Sequence, residues 1–175
     1  AVLQGSGFSS GCRENSNTHC VMDILSDYKQ KVASHLWHPD ADQQAVVVKL
    51  AALLAELEAN SVKASGLVGK LFRKNHKTPR GLYIHGDVGR GKTMLMDLFF
   101  DHVKGWPKKR IHFHAFMQDI HKARANQKTI EHIADSIAQD AKLLCLDEMQ
   151  IVDIADAMII GRLFEAMHRR GVVMV

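Results

Sequence analysis

The stretch GLYIHGDVGRGKTMLM, residues 81 to 96, constrains this chain more than any other. β-Prone residues run into a glycine-rich loop, and the loop runs into a helical pattern. Gly86 through Gly91, Lys92 and Thr93 fit the spacing G-x-x-x-x-G-K-[ST]. Each residue type there has a physical reason. Glycines adopt positive φ and let backbone amides close on phosphate oxygens, while the next helix aims unpaired N–H groups and its positive dipole end at the same place. Lys92 adds a mobile charge for the β- and γ-phosphates, and the Thr93 hydroxyl is placed to ligate Mg²⁺. The candidate nucleotide-binding residues are Gly86, Asp87, Val88, Gly89, Arg90, Gly91, Lys92, Thr93 and Met94. A merely flexible turn would need neither the strand before it nor the helix behind it.

A phosphate loop of this kind sits at one edge of a parallel sheet, and the rest of the sequence supplies such a sheet. GLYIHG (81–86), RIHFH (110–114), KLLCLDE (142–148) and GVVMV (171–175) are short β-prone runs separated by helical stretches. The fold expected is α/β, a P-loop core with helices flanking a parallel sheet. In LLCLDE, four apolar residues bring Asp147 to the carboxyl edge of the sheet, where it can hold a metal, and Glu148 beside it can polarise an attacking water. A kinase needs no base for water, so the adjacent pair favours hydrolysis. Lys92 and Glu148 are the candidate catalytic residues; Thr93 and Asp147 are the candidate metal ligands.

Upstream, apolar residues recur at helical spacing from Val21 to Trp37 until Pro39 breaks the pattern, and a second helix runs from Asp40 to about Asn60. Asp40 reads as its cap and Gln43 as the reciprocal capping-box partner, with a position near the nucleotide base as the alternative for Gln43. SVKASG (61–66) reads as linker. The division expected is a tail over 1–20, a helical segment over 21–66 and a partial nucleotide-binding core over 67–175. The opening AVLQ followed by GSG looks like a protease recognition site left by recombinant expression, which sets the tail apart from the fold.

Composition removes other classes. The formal charge of +4 comes from 23 basic and 19 acidic residues that are interspersed, which is too slight an excess to diagnose nucleic acid. The three cysteines are an odd number without a secretory leader, which points to a reducing compartment. Cys145 lies inside an apolar strand and reads as core. AVVVKLAALLAEL (45–57) is interrupted by Lys49 and Glu56 and is too short to span a bilayer.

These motifs resemble the AAA+ ATPases of the ZapE type, bacterial cell-division proteins with mitochondrial AFG1-like relatives. The likeness covers roughly Tyr28 to Val175, and its most specific pieces are GLYIHGDVGRGKTMLMDLFF, RIHFHAFMQDIH and LLCLDEMQIVDIADAMIIGRLFEAM. It implies ATP and Mg²⁺ as ligands, homo-oligomers, and protein partners from the division ring or the inner membrane. It implies a cytoplasmic location, mitochondrial for a eukaryotic source. A nucleotide-gated interaction switch and a DNA-remodelling ATPase remain as alternatives. A member would continue past GVVMV into a sensor, an arginine finger and a lid, so this sequence is expected to be C-terminally incomplete and not to turn over ATP alone. The resemblance would also put the glycine-loop strand beside the strand ending at Val175, then the Asp147 strand, with RIHFH outermost. HFHAFM would stand where such motors carry a substrate-gripping loop, Phe113, Phe116 and Met117 being either grips or core. His112 and His114 on one strand face, with His121 beyond, form a weaker metal candidate.

Overall fold

The computed structural model describes residues 16–64 and 78–175, with side chains from residue 23 and, in the second helix, to residue 60. The order is α1 (Ser16–Ala33), α2 (Ala41–Ala64), α3 (Lys92–His102), β1 (Lys108–His112), α4 (Phe113–Ala125), α5 (Ile130–Asp140), β2 (Leu143–Asp147), α6 (Ile154–Arg169) and β3 (Val173–Met174). The three strands are parallel in the order β1-β2-β3. Lys108 pairs with Leu143 at one end of the β1–β2 ladder and His112 with Asp147 at the other.

β2 organises the core because every residue of it is buried. Its pleat sends Leu143 and Cys145 to one face and Leu144 and Leu146 to the other. The first pair joins α1, α2 and α3 through Ile24, Leu50, Leu54 and Phe99; the second joins α4, α5 and α6 through Phe116, Ile133, Leu163 and Met167. A run of apolar residues without polar alternation is what a parallel strand covered on both sides requires. Helices end on local signals. Asp40 Oδ1 accepts from the N–H of Asp42 at 2.8 Å and of Gln43 at 3.3 Å, Thr129 accepts from His132, and Asp153 accepts from Ala155.

Four expectations need correction. Residues 81–86 are not a regular strand: they run alongside β3 with one ladder bond, Leu82 N–H to the Met174 carbonyl at 3.1 Å, because β3 itself is only two residues long. β1 starts earlier than RIHFH and stops at His112, so His114 belongs to α4 and shares no strand face with His112. Phe113, Phe116 and Met117 are buried in the second core, which leaves them no gripping surface. α2 continues to Ala64 through most of the proposed linker, since Ser61, Val62, Lys63 and Ala64 carry no helix-breaking residue. The remainder of that linker lies outside the described residues.

The contact between residue 81 and β3 depends on a missing side chain. A Cβ built on Gly81 would lie 1.9 Å from the Met174 carbonyl oxygen, a backbone atom that cannot turn aside. Gly81→Ala should therefore cost about 1–3 kcal/mol, the range for inserted bulk in packed regions. Gly161, on the exposed side of α6 with open space where its Cβ would be, is the control. Gly161→Ala should gain roughly 0.5–1 kcal/mol from helix propensity. Urea unfolding midpoints at constant m-value check both signs.

Candidate functional site

The loop between residue 86 and α3 takes its shape from glycine. Gly89 and Gly91 have φ of 81° and 76°, the left-handed region, and a Cβ on Gly91 would press on the Gln43 amide at 3.0 Å. Gly91 is also the N-cap of α3 and offers no side-chain acceptor, so the first-turn N–H groups are not covered by a capping side chain. Lys92 curls back over the loop, its Nζ donating to the carbonyls of Gly86 at 2.8 Å and Asp87 at 2.7 Å.

Across from the loop, β2 ends in Asp147, the one buried polar or charged residue among the described core positions. A cleft of about 1070 Å³ brings the two together: Gly86, Val88, Gly89, Gly91, Lys92, Thr93 and Met94 line it with Asp147 and Glu148. Glu148 is exposed and has φ of 55°, a left-handed backbone in a residue that is not glycine. Such conformations cost of order 1–3 kcal/mol and concentrate at functional sites. Here the turn carries the chain off the strand and leaves the Glu148 side chain exposed beside the cleft.

Asp87 and Arg90 face a second cleft of about 420 Å³, shared with Asp40, Asp42 and Gln43. The Arg90 guanidinium pairs with Asp40 Oδ2 at 3.1 Å and Asp42 Oδ2 at 2.8 Å, and Gln43 Nε2 donates to the Arg90 carbonyl at 3.1 Å. The capping-box role expected for Gln43 is thus corrected: Asp40 caps α2 alone, and the Gln43 amide turns to the glycine loop. Sequence reading missed this tether because Asp40 and Arg90 are distant in the chain.

It also missed Arg110. From β1 this residue donates Nη2 at 2.5 Å and Nε at 3.2 Å to Asp147 Oδ2, while its Nη1 reaches Asp97 of α3. The signal was partial: Asp97 follows Thr93 by one helical turn and so shares its face, but only the register of β1 on β2 brings Arg110 to them. Burial pushes the Cys145 thiol up to about 12, which fits a core residue and no nucleophile.

Mg²⁺ fits these donors. Among the described residues no group of three or more His, Cys, Asp or Glu could hold a metal. A hydroxyl at Thr93 and a carboxylate at Asp147, facing one cleft beside a phosphate loop, match the few protein ligands that Mg²⁺ uses with phosphate oxygens and water. His121 has a different partner, Asp156 at 3.0 Å.

A parallel sheet flanked by helices on both faces, with a phosphate loop opposite an acidic strand end, defines an α/β P-loop fold of the AAA+ class. Residues 22–175 match the AFG1-like ATPase family, and the chain belongs to that family. It is 38% identical to the cell division protein ZapE of Escherichia coli K12 over 86% of this chain and 44% of that protein. An uncharacterized protein of Schizosaccharomyces pombe is 36% identical over 83% of this chain and 40% of its own length. Lactation elevated protein 1 homolog B of Danio rerio is 47% identical over 55% of this chain and 22% of its own. The chain thus spans less than half the length of these curated relatives. No solved structure matches it. Among the described residues no helix is long and apolar enough to cross a membrane.

Asp40 has two separable jobs, one per oxygen. Asp40→Ala should cost about 1 kcal/mol for the lost cap plus up to about 1 kcal/mol for the Arg90 pair, which is half exposed and screened. Asp42→Ala removes its ion pair and a first-turn negative charge but no cap, and should cost less than about 1 kcal/mol. In 1 M NaCl the Asp42→Ala cost should vanish while the cap cost persists, as read by chemical denaturation.

Proposed function

We propose that this chain is the nucleotide-binding part of a Mg²⁺-dependent ATPase that couples turnover to the handling of other proteins. One observation carries the reading: Lys92 and Thr93 from the glycine loop and Asp147 and Glu148 from the end of β2 line the same cleft. In this reading the loop amides and Lys92 bind the phosphates. Thr93 and Asp147 hold Mg²⁺, which neutralises phosphate charge when bound. Glu148 accepts the proton of an attacking water. Exposure suits that last role, since Glu148 must reach a water that Asp147, buried and paired with Arg110, cannot.

The wider role rests on family. By family resemblance we propose a division-ring or membrane-protein partner, homo-oligomers of the whole protein, and action in the cytoplasm, or in mitochondria for a eukaryotic source; the name of the cell division protein ZapE supports the division role. A second reading, a nucleotide-gated interaction switch with little turnover, draws on the Arg90 tether, which links the loop directly to the N-terminal helices. Turnover that rises with an added partner favours the motor; partner binding that follows nucleotide state without turnover favours the switch.

Two substitutions separate binding from chemistry. Lys92→Ala removes charge-assisted contacts worth about 1.5–3 kcal/mol, so ATP–Mg²⁺ affinity by calorimetry should fall at least about tenfold. Unchanged affinity would remove Lys92 from the site. In the complete protein, Glu148→Gln keeps size and polarity but loses the base, so ATP should still bind while turnover falls about 10²- to 10⁴-fold. Wild-type turnover in that variant would assign water activation to another residue.

A further inference from the structure

We propose that Asp97, Arg110 and Asp147 form a charge-balancing triad that sets how strongly Mg²⁺ tightens nucleotide binding, with Asp97 and Arg110 as positioning residues. The proposal rests on the ATP–Mg²⁺ reading of the cleft and goes beyond it, because neither residue faces that cleft. Asp147 lies at the buried end of β2, its side chain only 9% exposed, where a lone carboxylate would be costly. Arg110 relieves that cost through two donors, both on Oδ2, so the second carboxylate oxygen carries none of the Arg110 contacts. Both donors converge on that one oxygen, so Arg110 anchors Oδ2.

Arg110 alone would create a difficulty. A guanidinium beside Asp147 cancels its charge at the place where a divalent cation is to be held. Asp97 answers this: it pairs with the far nitrogen, Nη1, of the same guanidinium. The three ionised groups then carry one net negative charge, the same as an isolated Asp147, but with one carboxylate oxygen anchored. Asp97 can do so because it lies one turn after Thr93 on α3 and therefore on the same helix face. The arrangement thus ties the helix that starts at the phosphate loop to the two neighbouring strands through charge.

Charge balancing gives a signed pattern that a purely structural ion pair does not. The quantity to measure is the ratio of ADP affinity with and without Mg²⁺, by calorimetry, for the chain of residues 1–175. Asp97→Asn leaves Arg110 to neutralise Asp147, and the Mg²⁺ enhancement should fall about three- to fivefold, scaled to a half-exposed pair. Arg110→Gln leaves two negative charges and should raise it. The double variant restores one net negative charge and should return to within about twofold of wild type, the two charge changes opposing each other. Asp97→Glu keeps the charge and should stay near wild type. Asp97 is half exposed, so Asp97→Asn is not a core change, and thermal melting checks that each variant is folded. If Arg110→Gln does not fold, the contrast between Asp97→Asn and Asp97→Glu still decides, because only the former changes charge. A wild-type chain without Mg²⁺ enhancement would overturn both the ATP site and the triad. Enhancement in wild type that survives Asp97→Asn, or a folded double variant no better than Asp97→Asn, would overturn the triad alone.

Discussion

The burial of β2 on both faces is the constraint on which the rest of this structure depends. Leu143 and Cys145 seal the face toward α1, α2 and α3, and Leu144 and Leu146 seal the face toward α4, α5 and α6. Each fully buried leucine is worth roughly 1.5–3 kcal/mol relative to exposure, so the strand is held from two sides at once. A strand so enclosed cannot slip by one residue, because a shift would exchange the two faces and drive Asp147 into the core. The register that satisfies the leucines is also the register that delivers a carboxylate to the cleft. Packing and the placement of the carboxylate are thus consequences of the same five residues.

The phosphate loop is held differently, by polar contacts and not by burial. Its residues from Gly86 to Arg90 are exposed, so no apolar packing fixes them. Shape comes from glycine backbones, from the Lys92 ammonium on the Gly86 and Asp87 carbonyls, and from the Arg90 and Gln43 contacts to the start of α2. Exposed ion pairs are individually weak, and such a loop can be reshaped at low energetic cost. The N-terminal helices are therefore part of the site's mechanical surroundings. They pack on α3 through Ile24, Leu50 and Phe99 from below and hold the loop through Arg90 from the side.

Much of this was legible in the sequence. The glycine loop announced itself because its chemistry is local: eight adjacent residues carry the signal. LLCLD was legible for a related reason, since four unbroken apolar residues before an acid admit few other readings in a parallel sheet. Local capping by Asp40 was equally open to inspection. What failed were readings that need partners. RIHFH has good strand propensity throughout, yet Phe113 turns into α4 because its side chain is drawn into the core with Phe116 and Met117. GLYIHG has the composition of a strand, but a ladder needs a neighbour, and β3 offers Leu82 a single carbonyl. Gln43 satisfied the capping-box spacing and was nonetheless taken by a loop that lies 47 residues away. In each instance a tertiary contact outweighed a local preference.

The neighbouring acids Asp147 and Glu148 show how far backbone geometry alone can separate environments. They are chemically almost alike, and propensity does not distinguish them. The last pleat of β2 turns Asp147 inward, where it is buried and one of its oxygens is anchored by Arg110. One residue later the backbone enters the left-handed region, the ladder ends, and Glu148 faces solvent at the cleft. An anchored, charge-balanced carboxylate suits a role in which a cation is held in one place; a solvated, less restrained one suits a role in which a proton must be taken up and given back. The turn at Glu148 separates these environments within one peptide unit. A conformation that costs energy in an exposed residue is therefore the local feature by which two similar side chains acquire different surroundings.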